Sequence, residues 1–180
     1  MKRRLPKQEG EWIDRSQRMK FDFEGEVYHG FLGDVISSAL YANNVRFIGR
    51  SFKYHRPRGS YSFSGVDANA MFTDGVRTNI RGDTTFLEAN MSLWAVNTFG
   101  GLRDDRMRVT DRFSKFMPVG FYYKCFYRPK WMFPLYENII RRIAGLGVIN
   151  SKFPRTSSPK DYDWCDVLVV GGGAAGMSAA

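Results

Sequence analysis

Six residues near the end of the chain have the types and spacing that suit contact with a phosphate group. Gly171, Gly173 and Gly176 form a G-x-G-x-x-G pattern that follows the apolar run at residues 167–170 and precedes small helix formers. In such loops the first glycine permits a tight turn, the second admits a pyrophosphate, and the third allows close packing of helix on strand. The pattern predicts a dinucleotide-binding loop for NAD or FAD. Its residues are Gly171, Gly172, Gly173, Ala174, Ala175 and Gly176. The alternative is a glycine-rich turn between two ordinary core elements.

The strand, turn and helix around these glycines indicate the start of an α/β Rossmann-type domain. A complete unit of this kind takes about thirty residues, and the sequence ends soon after the glycines. We therefore expect the chain to be a fragment of a longer protein. The acidic residue that contacts a dinucleotide ribose follows about 20 residues after the motif. That position lies beyond Ala180, so the sequence does not distinguish NAD from FAD as the bound dinucleotide.

Composition sets limits on the class of protein. The 180 residues are 43% hydrophobic and 16% aromatic, which is enough apolar material for a core. A net charge of +9 permits contact with nucleic acid or an anionic membrane, but acidic surface in the rest of the longer protein or on a partner subunit is the favoured explanation. No apolar run approaches the length of a membrane-spanning helix. Cys125 and Cys165 lie far apart and predict no disulfide framework, so a cytoplasmic setting is expected.

The first half of the chain predicts a hairpin, a helix and further strands, which is the order of a β-grasp module. Met19, Phe21 and Phe23 alternate with polar residues, and residues 24–26 form a turn signal before a second strand at 27–31. Asp34 is expected to cap a helix that extends to Asn43. A short strand is expected at 45–48. The predicted fold class is α+β, with a β-grasp domain followed by the truncated Rossmann-type domain.

The chain divides into four predicted parts. Residues 1–16 are a charged, poorly ordered tail, 17–100 the β-grasp domain, 101–160 a connector, and 161–180 the start of the nucleotide domain. The connector is dense in aromatic residues from Phe113 to Tyr136, interleaved with basic residues. These aromatics favour an interdomain or subunit interface over base stacking on single-stranded nucleic acid. A helix is expected at 135–146 and a linker at 151–160.

Five segments carry a resemblance to a known family. They are residues 33–40, 49–59, 118–124, 135–147 and 166–176. In this order they closely resemble the α subunit of heterotetrameric sarcosine oxidase, over about residues 17–180. Related α subunits occur in cyanide synthases, opine oxidases and dye-linked proline dehydrogenases. The α subunit of one of these enzymes, which act on other amines, is the alternative.

The resemblance implies an activity for the longer protein. It would oxidise sarcosine to glycine with tetrahydrofolate and oxygen, and would release hydrogen peroxide. It implies NAD at the glycine motif, FMN and FAD in the complex, and β, γ and δ partner subunits. It implies no membrane and no nucleic acid. A basic, non-catalytic adaptor that binds nucleic acid is the alternative from another class.

The resemblance also implies a ferredoxin-like domain without its iron–sulfur cluster. Cluster-bearing relatives have cysteines after the segment 55–59, whereas residues 60–71 of this chain contain none. A [2Fe–2S] centre of the ferredoxin type needs four thiolates, and this chain has two cysteines in total. We therefore expect side-chain packing, not metal, to hold this region. The expected packing residues are Phe52, Tyr54, Tyr61, Phe63 and Met71.

No catalytic residue is predicted within these 180 residues. The two histidines, His29 and His55, are expected to be structural, because neither lies in a nucleophile–base or metal-ligand pattern. A cluster of basic residues surrounds His55. Such a cluster can bind phosphate or pair with carboxylates of a neighbouring domain, and structural ion pairs are favoured here. Its members are Arg50, Lys53, Arg56 and Arg58.

Overall fold

The computed structural model describes residues 4–116, 120, 128–143, 149–154 and 157–180. Among them the strands are β1 (Asp14–Phe23), β2 (Glu26–Leu32), β3 (Gly49–Arg50), β4 (Pro57–Arg58), β5 (Met71–Thr73), β6 (Ile80–Arg81) and β7 (Ser92–Ala95). The α-helices are α1 (Ile36–Ala42), α2 (Phe133–Ile143) and α3 (Ala174–Ala179). Two 3₁₀ helices lie at Arg106–Phe116 and Lys130–Met132.

The predicted hairpin forms from β1 and β2. Its strands are antiparallel, with Phe23 opposite Glu26, which leaves a two-residue turn. Both turn residues have positive φ, 54° at Glu24 and 80° at Gly25, and this is the turn type whose twist matches a hairpin. The alternation in β1 places Phe21 and Phe23 in the core, where they are 1% and 2% exposed.

A five-stranded sheet in the order β2-β1-β7-β5-β6 forms the body of the domain. β1 and β7 are parallel neighbours, while the other pairs are antiparallel. α1 packs on the sheet and buries Ile36 and Leu40 with Phe72 and Leu93. A hairpin, one helix and a central parallel pair constitute the β-grasp arrangement. The predicted α+β class is confirmed.

The strand predicted at residues 45–48 is displaced. The ladder begins instead at Gly49, where β3 pairs with β4 in a separate two-stranded sheet. Val45 uses its N–H to end α1 by donating to the carbonyl of Leu40, at 3.0 Å. Ile48 is fully buried in the core. The apolar spacing therefore reflects helix termination and core packing more than strand pairing.

Asp34 does not cap α1 as predicted. Val35 occupies the N-cap position, and the buried Asp34 carboxylate accepts hydrogen bonds from the Phe31 N–H at 2.9 Å and the Ser38 hydroxyl at 2.7 Å. It also pairs with Arg4 at 2.7 Å. This ion pair ties the segment predicted as a tail to the sheet, and β1 already begins at Asp14. The four-part division of the chain stays a prediction.

The second half of the described chain contains two α-helices and the C-terminal glycine motif. α2 lies largely where a helix was expected, and much of the aromatic connector, 117–119 and 121–127, falls outside the described residues. Residues 167–170 are exposed and have no strand assignment. A parallel strand requires a hydrogen-bonded neighbour, and no described strand pairs with them. Within the described part, no helix is long and apolar enough to cross a membrane.

Candidate functional site

The glycine loop at residues 171–176 has the backbone geometry that its motif requires. Gly171 has a φ of +117°, a conformation that side chains rarely adopt. Gly173 stands at the N-cap of α3, and its carbonyl accepts the N–H of Met177 at 2.9 Å. A Cβ atom placed on Gly176 would collide with the carbonyl oxygen of Gly171, so the turn closes only around a glycine.

The middle of the loop faces open space. A Cβ atom on Gly172 or Gly173 would meet no atom within 4 Å. Gly176 is thus required by the packing of the turn itself. Gly173 leaves room for a ligand, as the second glycine of a pyrophosphate-binding loop does. The residues fit a dinucleotide phosphate, and their role in binding one stays a prediction.

The second candidate region is the loop between β4 and β5, where the sequence resemblance places the cluster ligands of related domains. Its centre is Asp67, which is 1% exposed. The carboxylate accepts the N–H groups of Tyr61 at 2.8 Å, Asn69 at 2.8 Å and Ser62 at 3.4 Å. A buried carboxylate therefore organises this loop.

The predicted packing of aromatic side chains here is wrong in its main members. Phe52, Tyr61 and Phe63 are 56%, 78% and 49% exposed. Phe63 packs in a T-shaped arrangement with another partly exposed ring, that of Tyr41, and the two centroids are 5.3 Å apart. In the sequence, these apolar residues resembled a core segment. In the structure, the Asp67 carboxylate accepts the hydrogen bonds of the loop's backbone N–H groups, and the aromatic rings remain exposed to solvent.

The side chains of this loop do not fit an iron–sulfur cluster. Residues 55–71 offer hydroxyl, amide and carboxylate oxygens, one imidazole and the thioether of Met71, whereas iron–sulfur clusters are held by thiolates. In the part of the chain that the structure describes, no group of three or more His, Cys, Asp or Glu side chains could hold a metal. Cys165 is exposed in the C-terminal segment, and Cys125 lies outside the described residues.

The basic segment that precedes this loop is fixed by a buried ion pair. Arg50 donates to the carbonyl oxygens of Leu102 at 2.8 Å, His55 at 2.7 Å and Arg103 at 3.1 Å. Its Nε atom lies 3.4 Å from the carboxylate of Asp105. The predicted structural role of the cluster is confirmed at Arg50. At Arg56 an exposed pair with Asp111 has the same chemistry, at 2.6 Å.

His55 belongs to the same buried cluster. Its Nδ1 lies 2.6 Å from Asp105, and the side chains of both residues are 0% exposed. Asp105 also accepts the N–H of Phe99 at 3.0 Å. The histidine is closed off from solvent and has a structural role, as predicted. Sequence reasoning missed Asp105, since its partners lie 50 and 55 residues earlier and no local pattern links them.

Two groups on β2 have shifted pKa values. Burial raises the pKa of Tyr28 to about 12, and the hydrogen bond that its hydroxyl donates to Glu26 at 2.6 Å adds to the shift. Burial lowers the pKa of His29, as do the nearby charges of Arg18 and Lys20. Both effects favour the neutral side chains. These contacts give neither Tyr28 nor His29 a catalytic role, and the absence of catalytic residues from this chain stays a prediction.

The β-grasp part of the chain is similar to a known domain family. A family model described as "2Fe-2S iron-sulfur cluster binding domain" matches residues 16–98, which span β1 to β7. A solved structure, that of L-proline dehydrogenase from P. horikoshii, aligns with 46% of this chain and 16% of that chain, at 21% identity and a TM-score of 0.38.

The chain is also similar to three proteins named sarcosine oxidase subunit alpha. The protein from Rhizobium meliloti (strain 1021) is 37% identical over 182 residues, covering 98% of this chain. Those from Corynebacterium sp. strains U-96 and P-1 are 27% and 28% identical over 95% and 93% of it. The predicted resemblance is confirmed. The chain spans 13–18% of the length of these relatives.

Proposed function

We propose that this chain is the N-terminal part of a sarcosine oxidase-type α subunit. The observation that carries the proposal is the 37% identity to the Rhizobium meliloti protein, which covers 98% of the chain. The longer protein would be an oxidoreductase acting on CH–NH donors. It would remove two electrons from the N-methyl group of sarcosine, pass the one-carbon unit to tetrahydrofolate, and transfer the electrons to oxygen. The products would be glycine and hydrogen peroxide.

Within that enzyme, residues 171–176 would hold the phosphates of NAD, with FAD as the alternative. The support is the open face at Gly172 and Gly173 and the closed packing at Gly176. A bound dinucleotide of this kind supplies hydride-transfer chemistry. The contribution of this chain is to bring its backbone close to the pyrophosphate. FMN and FAD elsewhere in the complex belong to the same proposal.

The β-grasp domain would be structural and free of a cluster, and so would carry no electrons. The support is the ligand count: two cysteines in the whole chain, against four thiolates that a ferredoxin-type cluster needs. The domain would serve as a folded platform against which other parts of the subunit or its partners pack.

The proposed partners are the β, γ and δ subunits of a hetero-oligomer, in the cytoplasm. Large aromatic side chains outside the β-grasp core are exposed, among them Phe113 at 55%, Trp131 at 79% and Trp164 at 82%. Exposed aromatic residues are common at the centres of protein interfaces. The net charge of +9 favours acidic partner surfaces. Neither a membrane nor nucleic acid is part of the proposal.

The proposal is tested on the complete α subunit, co-expressed with the proposed β, γ and δ subunits. The purified complex is given sarcosine, proline or glycine as the only amine, with oxygen or an artificial dye as the electron acceptor. We expect turnover with sarcosine and oxygen, and tetrahydrofolate-dependent loss of free formaldehyde. Proline-dependent or glycine-dependent dye reduction would assign the chain to a related dehydrogenase. Absence of amine turnover combined with salt-sensitive retention on single-stranded DNA would favour the adaptor instead.

A further inference from the structure

The loop at residues 60–69 folds around one of its own carboxylates. Each oxygen of Asp67 accepts from a different side of the loop: Oδ2 from the N–H groups of Tyr61 and Ser62, Oδ1 from that of Asn69. The side chain is 1% exposed, so these N–H groups are the acceptor's main replacement for water.

Contacts with Arg81 and Asp83, at the end of β6, hold Asp67 and its neighbours in place. The backbone N–H of Asp67 donates to the buried carboxylate of Asp83 at 2.8 Å. Arg81 contacts the same carboxylate at 3.4 Å and also donates to the carbonyl oxygen of Gly65. The loop is consequently tied to the sheet through residues that lie 14 to 16 positions later in the chain.

Converging backbone N–H groups are the means by which proteins surround a buried anion, including many iron–sulfur clusters. The family model that matches residues 16–98 describes a cluster-binding domain, yet this loop contains no thiolate ligand. The N–H groups that face inward in this loop already donate to an anionic group of the chain itself, the carboxylate of Asp67.

We propose that the Asp67 carboxylate takes the organising place of an iron–sulfur cluster in this domain. The loop would then fold and keep its shape without metal, and the charge at its centre would be fixed and inert to redox change. This inference concerns the loop alone and holds whichever amine the longer protein oxidises.

The test compares two carboxylate-to-amide substitutions in the full chain. Asp67→Asn leaves one acceptor oxygen where there were two, so the N–H groups on one side of the loop lose their acceptor. Asp74→Asn is the matched control, because Asp74 also accepts backbone N–H groups, from Val76 and Arg77, but in the turn between β5 and β6. Hydrogen exchange is measured at individual amides, and iron and sulfide are measured in the same samples.

We expect Tyr61 or Asn69 to exchange at least about tenfold faster in Asp67→Asn and to be unchanged in Asp74→Asn. If Asp67→Asn does not fold, the unmodified chain still decides: both amides should be protected without iron, although neither lies in a helix or strand. Unprotected amides in the iron-free chain, unchanged exchange in Asp67→Asn, or about two iron atoms per chain would each overturn the inference. Loss of the proposed amine oxidation would alter none of these readouts, so the proposed activity and this inference fail separately.

Discussion

Removal of the Asp105 carboxylate is the most demanding test of how the basic segment is held. In Asp105→Ala, the buried His55 and Arg50 lose their shared partner, at 2.6 Å and 3.4 Å. Breaking a buried ion pair from one side typically costs about 3–5 kcal/mol. Arg50 keeps three carbonyl acceptors, so we expect the lower end, about 3 kcal/mol of unfolding free energy.

A loss of this size is measurable by urea unfolding, followed through tryptophan fluorescence. With a slope of about 1–3 kcal/mol per molar urea, the midpoint should fall by roughly 1–3 M. Asp111→Ala is the matched control, because the Asp111–Arg56 pair has the same chemistry with side chains 45% and 50% exposed. Exposed pairs contribute about 0–1 kcal/mol. Equal, small losses in both variants would refute the assigned role of the buried cluster.

Three further predictions concern the titration of Tyr28, the glycine loop and the iron content of the protein. The pKa of Tyr28 is raised from 10.0 to about 12, so its contribution to stability is present below pH 10 and is lost as pH rises towards 12. The difference in urea stability between the unmodified chain and Tyr28→Phe should shrink over that range, and a constant difference would contradict the shift. In the complete subunit, Gly173→Val should lose bound dinucleotide, measured by mass spectrometry of the released cofactor, while Gly172→Ala, which adds one methyl group in open space, should retain more; full occupancy in Gly173→Val would exclude the assigned loop. Anaerobically purified protein should contain no stoichiometric iron or sulfide, because two cysteines cannot supply four thiolates; cluster absorbance in the visible spectrum would show that reasoning to be mistaken.

Local patterns predicted the hairpin and the helix well. The alternation around Phe21 and Phe23 and the turn at Gly25 are set by neighbouring residues, so the structure agrees with them. Asp34 shows the limit of the same reasoning. Its type and position suit a helix cap. Instead, its carboxylate accepts hydrogen bonds from Arg4, which lies 30 residues earlier in the chain.

The buried polar groups could not be found from the sequence, because their partners are distant. Asp105 pairs with Arg50 and His55 across 55 and 50 positions, and Asp67 depends on Asp83. The exposed rings near Asp67 were misassigned for the same reason, since composition alone does not tell a core segment from a loop held by a carboxylate. The glycine motif is the opposite case. Its predicted roles depend on six consecutive residues, and the closed packing at Gly176 is consistent with the turn that they require, while dinucleotide binding stays a prediction.

The stoichiometry of sarcosine oxidation by the complete complex tests the central proposal most directly. With sarcosine as the only amine and oxygen as the acceptor, glycine and hydrogen peroxide should form in equal amounts, and tetrahydrofolate should capture the one-carbon unit. Sarcosine left unconsumed by a complex that oxidises proline or glycine would contradict the proposal.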